Sequence, residues 1–141
     1  MANGYEHIAC CLDGSPAGDA ALAGAMRLHA LGGGRLTVVH VMEPGLAYAG
    51  FSTDVGVGNA DHSREWLQSV MALAPGCDGV LLEGNPPNAV CDWAKTNGVD
   101  LIVGVRHHGR AERILLGSFA SHVAYNAPCA VLLVHPPSPA G

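Results

Sequence analysis

The sequence has few charged residues and no long apolar run, and both shortages exclude classes of protein. Only 13% of its 141 residues are charged, whereas 49% are hydrophobic. No apolar run approaches the roughly 20 residues that a membrane-spanning helix needs. The N-terminal residues also lack the basic region followed by an apolar stretch that marks exported proteins. We therefore expect a cytoplasmic protein with no membrane partner, in which residues 1–141 form a single domain.

Basic residues are scarce as well, which argues against a nucleic-acid partner. The chain has 7 Lys and Arg against 12 Asp and Glu, a formal net charge of -5. General nucleic-acid binders need basic patches that displace counterions from the phosphate backbone. Three of the cations nevertheless lie close together in the sequence, at Arg106, Arg110 and Arg113. This cluster predicts a local field that attracts small anions.

The cysteines show no pattern of a disulfide framework or a metal site. There are five of them, an odd number without a CxxC pair, and we interpret them as reduced core thiols. The adjacent histidines His107 and His108 have no cysteine or acid at ligand spacing, so we expect no metal site there. Cys10 and Cys11 are consecutive in an apolar run, and their side chains should point to opposite faces of a strand.

Apolar runs separated by glycine, proline and capping residues predict five strands alternating with four helices. The predicted strands cover 5–12, 35–42, 79–83, 99–104 and 130–134. The predicted helices start at Pro16 after a Ser15 cap, at Asn59 or Asp61, after Asn85, and at Leu116. Residues 43–58 should form a long surface loop, and 136–141 a flexible tail. This alternation predicts an α/β fold, a five-stranded parallel sheet with helices on both faces, which binds ligands at the carboxyl ends of its strands.

The segment from Gly104 to Ser118 follows a predicted strand and opens a predicted helix. Gly104 and Gly117 would let the backbone approach an anion, Ser118 would add a hydroxyl donor, and backbone N–H groups at a helix start attract phosphate. Two turn glycines and a helix cap would explain the same residues without a ligand. Asp13 has two interpretations too: a general base or magnesium ligand, or the first residue of a turn.

Several short motifs together resemble the universal stress protein family. They are Asp13-Gly14-Ser15, His40-Val41, 100–104, 114–118 and Ala127-Pro128-Cys129. The resemblance covers nearly the whole chain and implies a Rossmann-like fold of the adenine nucleotide alpha hydrolase type. Nucleotide-binding members carry Gly, two residues, Gly, nine residues, then Gly followed by Ser or Thr. The resemblance therefore implies ATP or another adenine nucleotide as ligand, bound with Mg²⁺.

Site residues also follow from the resemblance. In the family, the residues that match Gly104, Gly117 and Ser118 hold the phosphates. The residue that matches Asp13 lies by the ribose, and the residue that matches Val41 lies by the adenine. With their neighbours, the predicted nucleotide-binding residues are Leu12, Asp13, Val41, Gly104, Arg106, His107, Gly109, Gly117, Ser118 and Phe119.

His107 departs from the family motif because it stands where the second glycine should be. If that position needs a positive φ, a histidine there costs about 1 kcal/mol and places an imidazole in the path of the phosphates. Gly109 could relieve the turn two residues later. Alternatively, His107, His108, Arg106 and Arg110 form a different anion site, since imidazolium and guanidinium both pair with phosphate.

Three functions remain open from the sequence. The first is a stress-response or signalling module that binds an adenine nucleotide and acts as a homodimer through the last strand, Ala130 to Val134. The second is a family member that has lost nucleotide binding through His107 and works through dimerisation and contacts with partner proteins. The third is slow ATP hydrolysis. A catalytic triad has no support, because Ser118 and His122 lack an obvious orienting acid.

Overall fold

The computed structural model describes residues 4–43, 53–106 and 118–135, with residues 53–59 described as backbone only. The predicted tail 136–141 and most of the predicted anion segment, 107–117, lie outside the described residues. The elements in chain order are β1 (His7–Cys11), α1 (Gly18–Gly32), β2 (Arg35–Met42), α2 (Thr53–Leu73), β3 (Asp78–Glu83), α3 (Pro86–Thr96), β4 (Leu101–Val105), α4 (Ser118–Asn126) and β5 (Ala130–Val134).

The strands form one parallel sheet in the order β3-β2-β1-β4-β5. This confirms the predicted five-stranded parallel sheet, and the bounds of β2 and β5 are those predicted from their apolar runs. The central strand β1 pairs with β2 on one side and with β4 on the other. β3 and β5 are the edges. No helix in the described parts of the chain is long and apolar enough to span a membrane.

Helices cover both faces of the sheet, as the alternation of elements predicted. Successive residues of a strand point to opposite faces, so the buried side chains divide into two apolar clusters. One lies under α1 and α2 and includes Ile8, Cys10 and Val38. The other lies under α3 and α4 and includes Ile102, Val90 and Val123. Each helix thus buries its apolar side against the sheet, with its N-terminus at the carboxyl edge of the strands.

The first helix starts later than predicted. Ser15 does not cap it and Pro16 is not its first residue, because α1 begins at Gly18 with Ala17 at the N-cap position. Instead the Ser15 carbonyl accepts a hydrogen bond from the Gly18 N–H at 3.0 Å, which makes a separate turn before the helix. The Ser15 hydroxyl oxygen is buried without a hydrogen-bond partner among the described residues, so the Ser15 side chain does not cap the helix.

The second helix starts earlier than predicted. It begins at Thr53, so neither Asn59 nor Asp61 is its cap, and the predicted loop 43–58 is wrong over residues 53–58. The glycines in this segment, Gly56 and Gly58, each disfavour a helix by about 1 kcal/mol relative to alanine. That low propensity is why the segment was predicted to be a loop. Residues 44–52 of the predicted loop lie outside the described residues.

A polar network fixes the opposite edge of the sheet. Buried His7 donates from Nδ1 to the Asn97 carbonyl at 3.1 Å, and its Nε2 lies 2.8 Å from the Thr37 hydroxyl. The Asp100 carboxylate accepts from the N–H groups of Glu6 and His7 at 2.8 and 2.9 Å. These contacts join β1, β2, α3 and the start of β4, and they hold the central strands in register away from the carboxyl edge.

Cys10 and Cys11 lie on opposite faces of β1, as predicted, since each belongs to a different apolar cluster. Burial, with a smaller contribution from nearby Cys77, raises the pKa of the Cys10 thiol to about 12. Burial also raises the pKa of Cys11 well above its ordinary value. All five cysteines are free thiols, which agrees with their interpretation as reduced core residues, although Cys77 and Cys129 are only half-buried.

Candidate functional site at the carboxyl edge of the sheet

A cleft of about 350 Å³ opens beyond the carboxyl ends of β1, β2 and β4, next to the N-termini of α3 and α4. The chain leaves β1 towards β2 on one side and later returns to β4 on the other, so the cleft lies at the switch point where α/β sheets bind ligands. Its lining residues are Cys11, Leu12, Asp13, Val39, His40, Val41, Glu43, Pro86, Val90, Val105, Ser118, Phe119 and Ala120. Most of these side chains are apolar, which suits the flat faces of an organic ring.

Two carboxylates supply negative charge to the cleft. Asp13 lies in the turn between β1 and α1, where its Oδ1 accepts a hydrogen bond from the Ser15 N–H at 2.8 Å. This contact supports the interpretation of Asp13 as a turn residue and also fixes the carboxylate at the mouth of the cleft. Glu43 follows β2 and is exposed. Carboxylate oxygens accept hydrogen bonds from sugar hydroxyls, and Mg²⁺ is often held by one or two of them with phosphate oxygens.

The start of α4 supplies the opposite polarity. Ser118 is its first residue and is exposed, and Phe119 and Ala120 follow it along the cleft wall. The first N–H groups of a helix have no partner within the helix, so this end carries partial positive charge. An anionic group of a ligand is therefore favoured at the Ser118 end of the cleft. The cleft thus combines an apolar interior, two carboxylates and a helix N-terminus.

His40 also lines the cleft, and its ring is held on two sides. Its Nδ1 lies 2.7 Å from the Leu12 carbonyl oxygen, and because a carbonyl only accepts, Nδ1 carries the proton. The ring packs against Trp66 of α2 with a centroid separation of 4.9 Å and an edge-to-face angle of 60°. The sequence showed His40 only as part of a family motif. Its position at the carboxyl end of an apolar strand was the signal for a site residue.

The structure brings together half of the predicted site residues. Leu12, Asp13, Val41, Ser118 and Phe119 all line the cleft. Gly104, Arg106, His107, Gly109 and Gly117 are the other half, and three of these, His107, Gly109 and Gly117, lie outside the described residues.

Gly104 and Arg106 are described but do not line the cleft. Gly104 is inside β4, which extends to Val105, and a Cβ atom on it would lie 3.4 Å from the Phe119 ring. Gly104 therefore gives Phe119 room to pack on the sheet. The Arg106 N–H donates to the Val134 carbonyl at 3.0 Å and continues the pairing of β4 with β5.

The sequence interpretation missed the apolar walls of the cleft. Val39, Val90 and Ala120 line it, yet each was visible in the sequence only as part of a predicted strand or helix. A side chain at the end of a buried strand or on the first turn of a helix serves both the core and the cleft. Position at the carboxyl edge, which requires the topology, is the signal that separates these residues from the rest of the core.

Comparison with known proteins identifies the family. The model of the universal stress protein family matches residues 4–135. A universal stress protein of Thermus aquaticus is 35% identical over 135 residues, which cover 92% of this chain and 98% of the relative. The chain belongs to the universal stress protein family. This confirms the resemblance carried by its motifs.

Solved structures share the fold of this universal stress protein. The one from Lactobacillus plantarum superposes with a TM-score of 0.78 at 24% identity and covers 93% of this chain and 98% of its own. A universal stress protein from Archaeoglobus fulgidus was solved in complex with dAMP and has a TM-score of 0.66 at 21% identity, covering 95% and 99%. Another was solved with cAMP, with a TM-score of 0.63 at 24% identity, covering 94% and 98%. These neighbours bear out the adenine nucleotide alpha hydrolase-like fold.

Proposed function

We propose that this universal stress protein binds an adenine nucleotide in the cleft at the carboxyl edge of its sheet and acts as a binding module. The observation that carries the proposal is the cleft itself, where apolar walls, the Asp13 carboxylate and the N-terminus of α4 meet at the switch point of the sheet. Two neighbours of the same fold were solved with dAMP and cAMP, which supports an adenine nucleotide as the ligand class.

The polarity of the cleft suggests the orientation of the ligand. The apolar side chains around Val41 and Val90 suit the base, and the Asp13 carboxylate suits the ribose hydroxyls as an acceptor. The phosphates would then extend towards Ser118, where the helix N-terminus favours negative charge. If Mg²⁺ accompanies the nucleotide, Asp13 and Glu43 are the carboxylates of the cleft that fit it, and the ion would offset repulsion between them and the phosphates.

The direct test is to denature the purified protein, identify any released small molecule by mass spectrometry, and titrate the nucleotide-free protein with AMP and ATP by calorimetry. We expect either released adenine nucleotide or a measurable heat of binding. The matched control pair is Asp13→Ala and Asp19→Ala, which remove the same charge from the cleft and from the exposed first turn of α1. Affinity should fall for Asp13→Ala only. Neither release nor binding in the natural protein would refute the proposal.

The alternative is that His107 has abolished nucleotide binding and that the protein works through dimerisation and partner contacts. Replacing His107 with glycine restores the family motif and distinguishes the two functions. If His107→Gly binds ATP and the natural chain does not, the alternative is correct. Equal affinity in both chains means that histidine is tolerated at this position. Release of phosphate from ATP, measured in the same samples, tests the third possibility of slow hydrolysis.

We also propose that the protein forms a homodimer through β5. This strand is at the edge of the sheet, where its outer backbone groups can pair with another strand. Leu132 on β5 is 38% exposed, and Tyr125 at the end of α4 is 89% exposed. Both are apolar surfaces that a second copy would cover.

The free thiols and the family also favour a cytoplasmic protein of the stress response.

Light scattering at micromolar concentration tests the dimer. The natural protein should have the mass of two chains, and Leu132→Glu should reduce it to one because a charge is buried at the interface. Leu73→Glu is the matched control, since Leu73 is 67% exposed at the end of α2 and its replacement should leave the dimer intact. A monomeric natural protein would contradict the proposal.

A further inference from the structure

The pairing of β1 with β2 stops early at the cleft. The register of β1 with β2 runs from His7 against Arg35 to Cys11 against Val39 and ends there. Beyond it, the Leu12 N–H still donates to the Val39 carbonyl at 2.9 Å. If the parallel ladder continued by one step, its next bond would join the Val41 N–H to the Leu12 carbonyl.

The direction of the Val41 amide follows from its neighbours on β2. In a parallel strand, the N–H and C=O of one residue point to the same neighbouring strand, and successive residues alternate. The Val39 carbonyl faces β1, because it accepts from Leu12, and the Met42 carbonyl faces the β3 side, because it accepts from the Gly84 N–H at 2.9 Å. The Val41 N–H therefore points towards β1, at the place where the cleft opens between the two strands.

The Leu12 carbonyl receives a different donor. The His40 Nδ1 donates to it at a nitrogen–oxygen distance of 2.7 Å, so a side chain of β2 occupies the acceptor that the Val41 amide would otherwise use. The ring cannot swing away easily, because Trp66 packs edge-to-face against it and the side chain is half-buried. His40 thus satisfies the last carbonyl of β1 from the side and leaves the strands apart at the level of Val41.

We propose that His40 is a positioning residue that ends the pairing of β1 with β2 and so keeps the Val41 backbone amide available as a hydrogen-bond donor to the ligand. The ligand part of this inference rests on the proposed nucleotide binding, and the strand-pairing part does not. A half-buried backbone donor that faces the cleft favours a base whose edge offers an acceptor atom, because a base without one would leave the donor unpaired.

Amide hydrogen exchange of the ligand-free protein, followed by NMR, tests the strand-pairing part. The measured quantity is the exchange rate of Val41 relative to Val39, which is paired with β1 and serves as the internal control. In the natural protein we expect Val41 to exchange about tenfold or more faster than Val39, because it lacks a ladder partner. In His40→Phe, which keeps a ring against Trp66 but has no donor, the Val41 amide should pair with the Leu12 carbonyl and the ratio should fall towards one.

His40→Asn is the rescue variant, because the asparagine side-chain amide can place its nitrogen close to the position of the imidazole Nδ1 and keep the donor. It should retain the natural exchange ratio. Equal protection of Val41 and Val39 in the natural protein overturns the inference even if His40→Phe does not fold. The inference is also overturned if His40→Phe folds and His40→Asn shows the same ratio of Val41 to Val39 exchange rates as His40→Phe.

Calorimetry with AMP tests the ligand part. His40→Phe should bind AMP about tenfold more weakly than the natural protein, and His40→Asn should bind within about twofold. If the exchange ratio of His40→Phe falls towards one but its affinity for AMP is unchanged, the Val41 amide has no role in binding. If the natural protein binds no nucleotide, the proposed function fails, and the exchange ratios still decide whether His40 ends the pairing of the strands.

Discussion

Replacing Ser118 with aspartate should lower the affinity for AMP and ATP by about thirtyfold, which corresponds to ~2 kcal/mol of binding free energy. Ser118 is the first residue of α4 and lines the cleft, so the new carboxylate would stand where the proposed orientation places the phosphates. Two like charges a few ångströms apart repel by several kcal/mol at the effective dielectric constant of a protein surface. Calorimetric titration with AMP, ATP and adenosine measures the effect.

The stability of the fold should not fall with this change, and that separates electrostatics from misfolding. Aspartate is favoured at helix N-termini because its charge complements the helix dipole, so the melting temperature should stay the same or rise. Adenosine, which has no phosphate, should bind the variant and the natural protein about equally. Ser121→Asp adds the same charge one turn further along α4, outside the cleft lining, and should have a much smaller effect. Equal losses for adenosine and AMP would refute the proposed orientation.

The largest effect on stability is expected from Ile102→Ala. Ile102 is fully buried in β4, in the apolar cluster under α3 and α4. Removing its outer methyl and methylene groups leaves a cavity between a rigid strand and two helices, and such changes cost about 3 to 4 kcal/mol of unfolding free energy. Denaturant unfolding at a fixed protein concentration measures this loss. In a chain of this size the melting temperature should fall by roughly 10 °C.

An exposed apolar residue provides the control for that experiment. Leu31 near the end of α1 is 82% exposed, so Leu31→Ala removes a side chain of similar size that buries little surface. Its unfolding free energy should change by less than about 0.5 kcal/mol. A loss below about 1 kcal/mol for Ile102→Ala would mean that the cluster under α3 and α4 is not packed as the structure shows.

The strands were the most predictable part of the fold, because their signals are local. β2 is mostly β-branched and apolar and β5 is entirely apolar, each has a glycine or proline within two residues of both ends, and both ends of each were predicted correctly. A parallel sheet covered on both faces requires such runs. Helix starts were harder to predict. Ser15 and Pro16 have the sequence of a helix cap but form a turn, and Gly56 and Gly58 are helical despite their poor propensity, because helix starts depend on tertiary packing as well as on local sequence.

The lining of the candidate site was predictable where a motif marked it and not where it depends on strand register. Asp13, Val41 and Ser118 were identified from short motifs, and the structure places all three in one cleft. The contact of His40 with the Leu12 carbonyl joins residues 28 positions apart. It follows only from the pairing of β1 with β2, which no local pattern specifies. The same holds for Gly104, whose role beside Phe119 depends on how α4 packs against β4.

The two thiols in the central strand have a consequence for the chemistry of the protein under oxidative conditions. Oxidants and alkylating reagents attack the thiolate, and burial raises the pKa of Cys10 to about 12, so almost none of this thiol is ionised at pH 7. Cys10 is also fully buried, so no reagent reaches it in the native protein. Modification of Cys10 therefore requires the sheet to open, so its rate depends on how often the molecule unfolds as well as on the concentration of oxidant.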